Sequence, residues 1–295
     1  MPDITQAMIG IYDHYTHVGF DRRALMAGFA KLTGSAAAAA AVVPLLEASP
    51  AAASIVAADD GRVHGETVNW AGANGHTLSG YLVRPAERPA GAARKAGTVM
   101  VVHENRGLTE HIRDVTRRLA LAGFVALAPD FLSPSGGTPA DEDQARAMIG
   151  ALQRDATVAD GVATVDYVAK LPGGNGKVGA VGFCWGGGMV NAVACAAGSQ
   201  LAVAVPYYGP QPDAASVSAI RAHMVLHYAG LDERIDAGIA AYEAALKAAR
   251  VRYELYIYPG VNHAFNNDTS AQRYDKAASD LAWTRTLAAL NTGLS

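Results

Sequence analysis

The chain has 295 residues, 51% of them hydrophobic and 17% charged. That length and composition fold around a substantial core and exclude a disordered chain. With 24 basic and 27 acidic residues the formal charge is −3. No basic face is forced, so nucleic acid is not expected as a partner. Beyond the N-terminal region no run of about 20 apolar residues offers a membrane span.

The first 60 residues form a segment of their own. Residues 4–20 carry Met8, Ile11, Tyr12 and Tyr15 at helical spacing. Arg22-Arg23, a mild Ala/Val stretch over 36–43 and the small residues Ala51-Ala52-Ala53 are similar to a twin-arginine export signal, although Ala24-Leu25-Met26 follows where Phe and Lys are usual. Two readings stay open. One is a retained helical arm that packs on the domain or on a second copy of the chain, giving a homodimer in the cytoplasm. The other is an export signal, which would place the protein in the periplasm. Retention is the reading favoured.

Residues 61–295 alternate strand and helix signals. Strands are expected over 63–70 and 77–83, as an antiparallel pair turning at Asn74-Gly75. A Pro/Ala/Gly-rich surface loop covers 84–96. The apolar run TVMVVH over 98–103 reads as a buried strand. A helix over 109–122, a strand over 124–128 and a loop over 131–139 follow, then helices over 140–153 and 158–170. Next come a strand over 177–182, a helix over 186–197, strands over 201–206 and 224–228, a helix over 237–249, a strand over 253–258 and a closing helix over 271–290. Such alternation implies a mostly parallel central sheet with helices on both faces. The cysteines, Cys184 and Cys195, sit in or beside one predicted helix. Its rise separates them by roughly 16 Å, too far for a disulfide, so both read as free thiols.

The central chemical signal is Gly182-Phe183-Cys184-Trp185-Gly186-Gly187, after the strand KVGAVG and opening an apolar helix. A nucleophile at a strained strand-to-helix turn needs small neighbours two residues away on each side. The helix N-terminus then favours a thiolate. The competing reading is a Gly-rich turn that only packs tightly or holds a phosphate. Partners occur in the order the chemistry requires: Asp232 in the loop after 224–228, and His263 in the loop after 253–258. Each also has an ordinary reading, Asp232 as a helix cap and His263 as a hydrogen-bonded loop residue. Glu233 and Asp236 compete with Asp232, and His227 reads as a strand residue. The backbone N–H groups of Trp185 and Asn105 are the candidate oxyanion donors. Glu104 is unusual near a thiol; its ordinary reading is a buried ion pair with Arg106 or Arg113. The nine histidines include no HExxH arrangement, and no metal or cofactor is expected.

The segments VGFCWGG, HENRG, SPSGGTPADED, GLDERI and YPGVNHAF together resemble the dienelactone hydrolase family, from about residue 63 to 290. The resemblance implies an α/β-hydrolase fold and a carboxymethylenebutenolidase-like hydrolase of small-molecule lactones or carboxylic esters. It implies a Cys184–Asp232–His263 triad, an acyl-enzyme, and a Glu104 that contacts the resting thiol until substrate displaces it. The family's carboxylate-binding arginine, four residues after the histidine, is replaced here by Asn267, leaving Arg106 or Arg234 as the candidate substitutes. The alternative is a non-catalytic binding or scaffold protein on the same fold. A nucleotide-binding oxidoreductase fits poorly, because the Gly-rich turn follows a late strand and lacks the G-x-G-x-x-G pattern.

Overall fold

The structure is a computed structural model that describes residues 4–19, 21–47, 54–87 and 95–295. Its main domain is one eight-stranded sheet. The strands are β1 (Val63–Ala71), β2 (Thr77–Pro85), β3 (Ala96–Val102), β4 (Val125–Asp130), β5 (Gly174–Phe183), β6 (Leu201–Tyr207), β7 (His223–Ala229) and β8 (Tyr253–Tyr258), in the order β1-β2-β4-β3-β5-β6-β7-β8. The β1/β2 and β2/β4 pairs are antiparallel, and every pair from β4 to β8 is parallel. The first hairpin turns where Asn74-Gly75 requires it, with Gly75 at φ 78°.

Parallel strands need helical crossovers. Helices α4 (Glu110–Leu121), α5 (Glu142–Gly150), α6 (Arg154–Ala169), α7 (Trp185–Ala197), α8 (Glu233–Asp236), α9 (Ile239–Ala248) and α10 (Lys276–Leu294) follow the strands. Ile112, Val115 and Leu119 of α4 pack with Ala282 and Leu290 of α10 on one sheet face. Val165 of α6, Val190 and Val193 of α7 and Leu246 of α9 pack on the other. Strands covered on both faces are mostly apolar, and β4 and β7 are buried at every residue, whereas the edge strands β1 and β8 expose several. This is the mostly parallel α/β sheet expected. Several boundaries differ from expectation: the helix expected over 158–170 begins at Arg154, and the strand expected over 177–182 begins at Gly174. The closing helix starts at Lys276, where the Asp275 side chain accepts from the Ala278 N–H at 2.8 Å; 271–275 belong to the preceding loop. The one-turn α8 precedes α9, capped by Asp232.

The arm comprises α1 (Gln6–His14), a π-helical turn (Tyr15–Gly19), α2 (Arg22–Thr33) and α3 (Ala36–Leu46). Tyr12, Leu25, Phe29, Val42 and Leu46 give it a core of its own. It docks on the domain through polar contacts. Tyr15 donates to Asp143 at 2.8 Å, Arg22 pairs with Asp143 at 3.1 Å, Arg273 reaches Asp13 at 3.3 Å, and the Asn105 amide donates to the Thr16 carbonyl at 2.7 Å. Gly34, at φ 80°, ends α2, and the Ser35 hydroxyl caps α3. The two helices meet at 112°, and among the described residues no single helix is long and apolar enough to cross a membrane. Phe20, Ala51-Ala52-Ala53 and 88–94 of the loop expected over 84–96 lie outside the described residues.

Candidate active site

Cys184 stands between the last residue of β5 and the first of α7, at φ 56° and ψ −116°. That conformation is costly for a residue with a side chain, on the order of 1–3 kcal/mol. The surroundings hold it: the Cys184 N–H donates to the Tyr207 carbonyl at 3.0 Å, and the Gly188 N–H donates to the Cys184 carbonyl at 3.1 Å. A Cβ on Gly182 would strike the Gly186 carbonyl, and one on Gly186 would strike the carbonyls of Val102 and His103. The −2 and +2 glycines are thus the only residues that fit. The elbow leaves the sulfur at the N-terminus of a 13-residue helix, where the helix dipole favours negative charge.

The structure brings His263 and Asp232 to the same place. The His263 Nδ1 donates to Asp232 Oδ2 at 2.5 Å, and both residues are buried. Asp232 also accepts from the Ile235 N–H at 3.4 Å, so the helix-cap reading and the partner reading are both true of one carboxylate. Burial alone would lower the His263 pKa; the Asp232 charge and the Cys184 sulfur instead push it up to about 10. Burial works against the Asp232 carboxylate too, yet the facing imidazolium holds its pKa below the ordinary value. The His263 Nε2 is buried without a hydrogen-bond partner. The competitors do not reach it. Glu233 is exposed, Asp236 lies where burial pushes its pKa up to about 6, and His227 is inside β7 against Tyr258, its pKa pulled down to about 3 by burial.

The resting thiol has a different partner from the one expected. Its sulfur lies 3.1 Å from Nε2 of His17, in the arm's π-helical turn. The His17 Nδ1 lies 2.8 Å from the Asp13 carbonyl, which can only accept, so Nδ1 carries the ring proton and Nε2 accepts the S–H. Burial drives the His17 pKa well below its ordinary value, with the His263 charge adding to it, and the ring stays neutral. Glu104, expected on the thiol, instead takes Arg106 at 2.9 Å and the Asn267 amide at 2.7 Å on its Oε2. Burial opposes the Glu104 charge, but the Arg106 guanidinium outweighs it and lowers the pKa. The ion-pair reading of Glu104 is the one realised, with Arg106. Asn267, four residues after His263, braces Glu104.

A cavity of about 240 Å³ is lined by His17, Asn105, Cys184, Trp185, Arg234 and His263, among others. Trp185 is the first residue of α7, so its N–H has no intrahelical acceptor. Arg106 is buried and committed to Glu104 and to Glu142, at 3.2 Å, which removes it as a substrate-carboxylate binder. Arg234 is exposed at the cavity and, among the described residues, makes no ion pair. On the Glu104 side the arm leaves a gap of only about 10 Å³. A roomier groove of about 670 Å³ beside Cys195 has no histidine in its lining.

The model of the dienelactone hydrolase family matches residues 78–294. The chain belongs to the dienelactone hydrolase family. It is 32% identical over 256 residues to an Escherichia coli O157:H7 protein named "Putative carboxymethylenebutenolidase", covering 81% of this chain and 91% of that one. A crystal structure titled as a "Putative Dienelactone Hydrolase" from Klebsiella pneumoniae superposes with TM-score 0.66 at 27% identity, over 77% of this chain and 99% of that one. A dienelactone hydrolase from Anabaena variabilis superposes with TM-score 0.60 at 21% identity, over 79% of this chain and all of its own, a likeness of fold. The protein is therefore a hydrolase with the α/β-hydrolase fold. The family match begins after the arm, which brings His17, the residue that sequence reasoning missed. Its only sequence signal is a second histidine three residues after His14.

Proposed function

We propose that this dienelactone hydrolase family member cleaves a lactone or carboxylic ester by acyl transfer to Cys184, with His263 as proton carrier and Asp232 orienting it. The observation that carries the reading is the left-handed elbow at Cys184 beside a His263–Asp232 pair 2.5 Å apart. Cys184 first gives up its S–H proton to solvent through His17 Nε2, 3.1 Å away, regaining it when the cycle closes; the thiolate attacks the carbonyl carbon, and the oxyanion takes hydrogen bonds from the Trp185 and Asn105 N–H groups. Collapse breaks the C–O bond and the His263 proton passes to the leaving oxygen, which stays tethered when the substrate is a lactone. His263, now neutral, draws a proton from the water that cleaves the thioester and restores the enzyme.

The cavity of about 240 Å³ favours small lactones and short acyl chains. Arg234 is the cation placed to take a substrate carboxylate. The test is hydrolysis of short p-nitrophenyl esters and enol lactones by the full chain and by Cys184→Ala. Turnover that Cys184→Ala abolishes supports the reading. A wild-type chain inert to the whole series would favour a binding role on the hydrolase fold.

A further inference from the structure

We propose that Cys184, His263 and the arm's His17 form a binding site for one divalent transition-metal cation of the Zn2+ class. A ligand atom from each of the three residues lies within 4.8 Å of the other two, and His17 Nε2 is 3.1 Å from the sulfur. Atoms sharing one zinc sit roughly 3.3–3.8 Å apart, given bonds of about 2.0–2.3 Å at tetrahedral angles. Side-chain adjustments of under about an ångström would close the set.

Both imidazoles are already held as ligands. A metal-binding histidine usually donates its other ring N–H to a carboxylate or a backbone carbonyl. His263 does so to Asp232 at 2.5 Å, and His17 to the Asp13 carbonyl at 2.8 Å. That leaves Nε2 of each ring as the ligand atom, with His17 Nε2 3.1 Å from the sulfur. The His263 Nε2 is buried and unpartnered, in a residue only 2% exposed. Buried polar atoms are rarely left so, and a cation between it and the sulfur would satisfy it. One sulfur and two imidazole nitrogens select a borderline-soft cation over Mg2+ or Ca2+. The cavity of about 240 Å³ touches all three residues and leaves room for water as a fourth ligand. Nearby arginines are mostly neutralised: Arg273 by Asp13, Arg106 by Glu104 and Glu142, and Arg146 by Asp143.

Binding displaces the thiol proton, and the Nε2 proton of a charged His263, to solvent, with no change of oxidation state. The bound cation would occupy the nucleophile and fasten the arm across it. The site stands on geometry; only the loss of turnover on loading rests on the hydrolase reading.

The test is titration of the metal-stripped full chain with Co2+, followed by displacement with Zn2+. The expected result is one Co2+ per chain, with the visible absorption of a four-coordinate site and a near-ultraviolet sulfur-to-cobalt charge-transfer band. Cys184→Ser should remove that band, and His17→Ala should weaken binding at least about tenfold, with His17→Cys restoring it; a merely structural loss would not be restored by another ligand. Absence of the charge-transfer band, or an affinity unchanged in His17→Ala, overturns the proposal. Zn2+ should also suppress ester turnover. A chain with the cobalt spectrum but no turnover after metal removal would sink the triad reading and leave the metal site standing.

Discussion

Glu104→Ala should act on stability first and on the thiol hardly at all. Glu104 is 3% exposed, and its Oε2 accepts from Arg106 at 2.9 Å and from Asn267 at 2.7 Å. Truncation leaves the Arg106 guanidinium, itself 6% exposed, with Glu142 at 3.2 Å as its remaining carboxylate, and it orphans the Asn267 amide. Removing one partner of a buried pair costs about 3–5 kcal/mol. At about 2–4 °C per kcal/mol for a domain of this size, the fall in Tm is roughly 6–20 °C. Thermal melts of the wild type, Glu104→Ala and the double variant with Arg106→Met measure it. The double variant should recover much of the loss, because the stranded charge is gone. Alkylation of Cys184 by iodoacetamide should change less than about fivefold, since the sulfur's partner is His17 and a buried neighbour at one remove contributes under about 1 kcal/mol. A Tm shift under about 2 °C, or strictly additive losses, would refute the pairing account; a large rise in alkylation would return Glu104 to the thiol.

Three further outcomes follow from the same geometry. Asp232→Asn keeps the shape but not the charge or the tautomer control at His263, and kcat should drop by on the order of 1,000–10,000-fold while the melt shifts modestly. Gly186→Ala forces a methyl into the Val102 and His103 carbonyls; overpacking of this kind costs about 1–3 kcal/mol, and chemical denaturation should show it alongside a loss of turnover. The folded state holds the His263 proton to about 10, against 6.5 in the ordinary ring. The stability this adds is complete below about pH 6.5 and drains away as pH rises through about 10. Urea midpoints from pH 6 to 10 should fall more steeply for the wild type than for His263→Gln, and parallel curves would contradict the ion pair.

Much of the fold was legible because its signals are local. The apolar runs of β3 and β5 and the glycines flanking Cys184 each follow from a constraint felt within a few residues. The order Cys184, Asp232, His263 was legible because each follows a strand whose end can be read. Insertion of β4 between β2 and β3 was not, since period and propensity say nothing of which strands become neighbours. His17 escaped for a related reason. A lone histidine beside an apolar helix stripe carries no meaning until the arm docks and sets it against a sulfur 167 positions away. Glu104 was readable as unusual, and an ion pair with the nearby Arg106 was among its readings, but the brace from Asn267 depends on a loop closing back from the far end of the chain.

The most direct measurement is mass spectrometry of the His263→Ala variant after brief exposure to a short p-nitrophenyl ester. Without the imidazole to activate water, the acyl group should accumulate as a thioester on the peptide that carries Cys184, at up to one group per chain. Full turnover by Cys184→Ala, with the acyl group absent from that peptide in His263→Ala, would contradict the account.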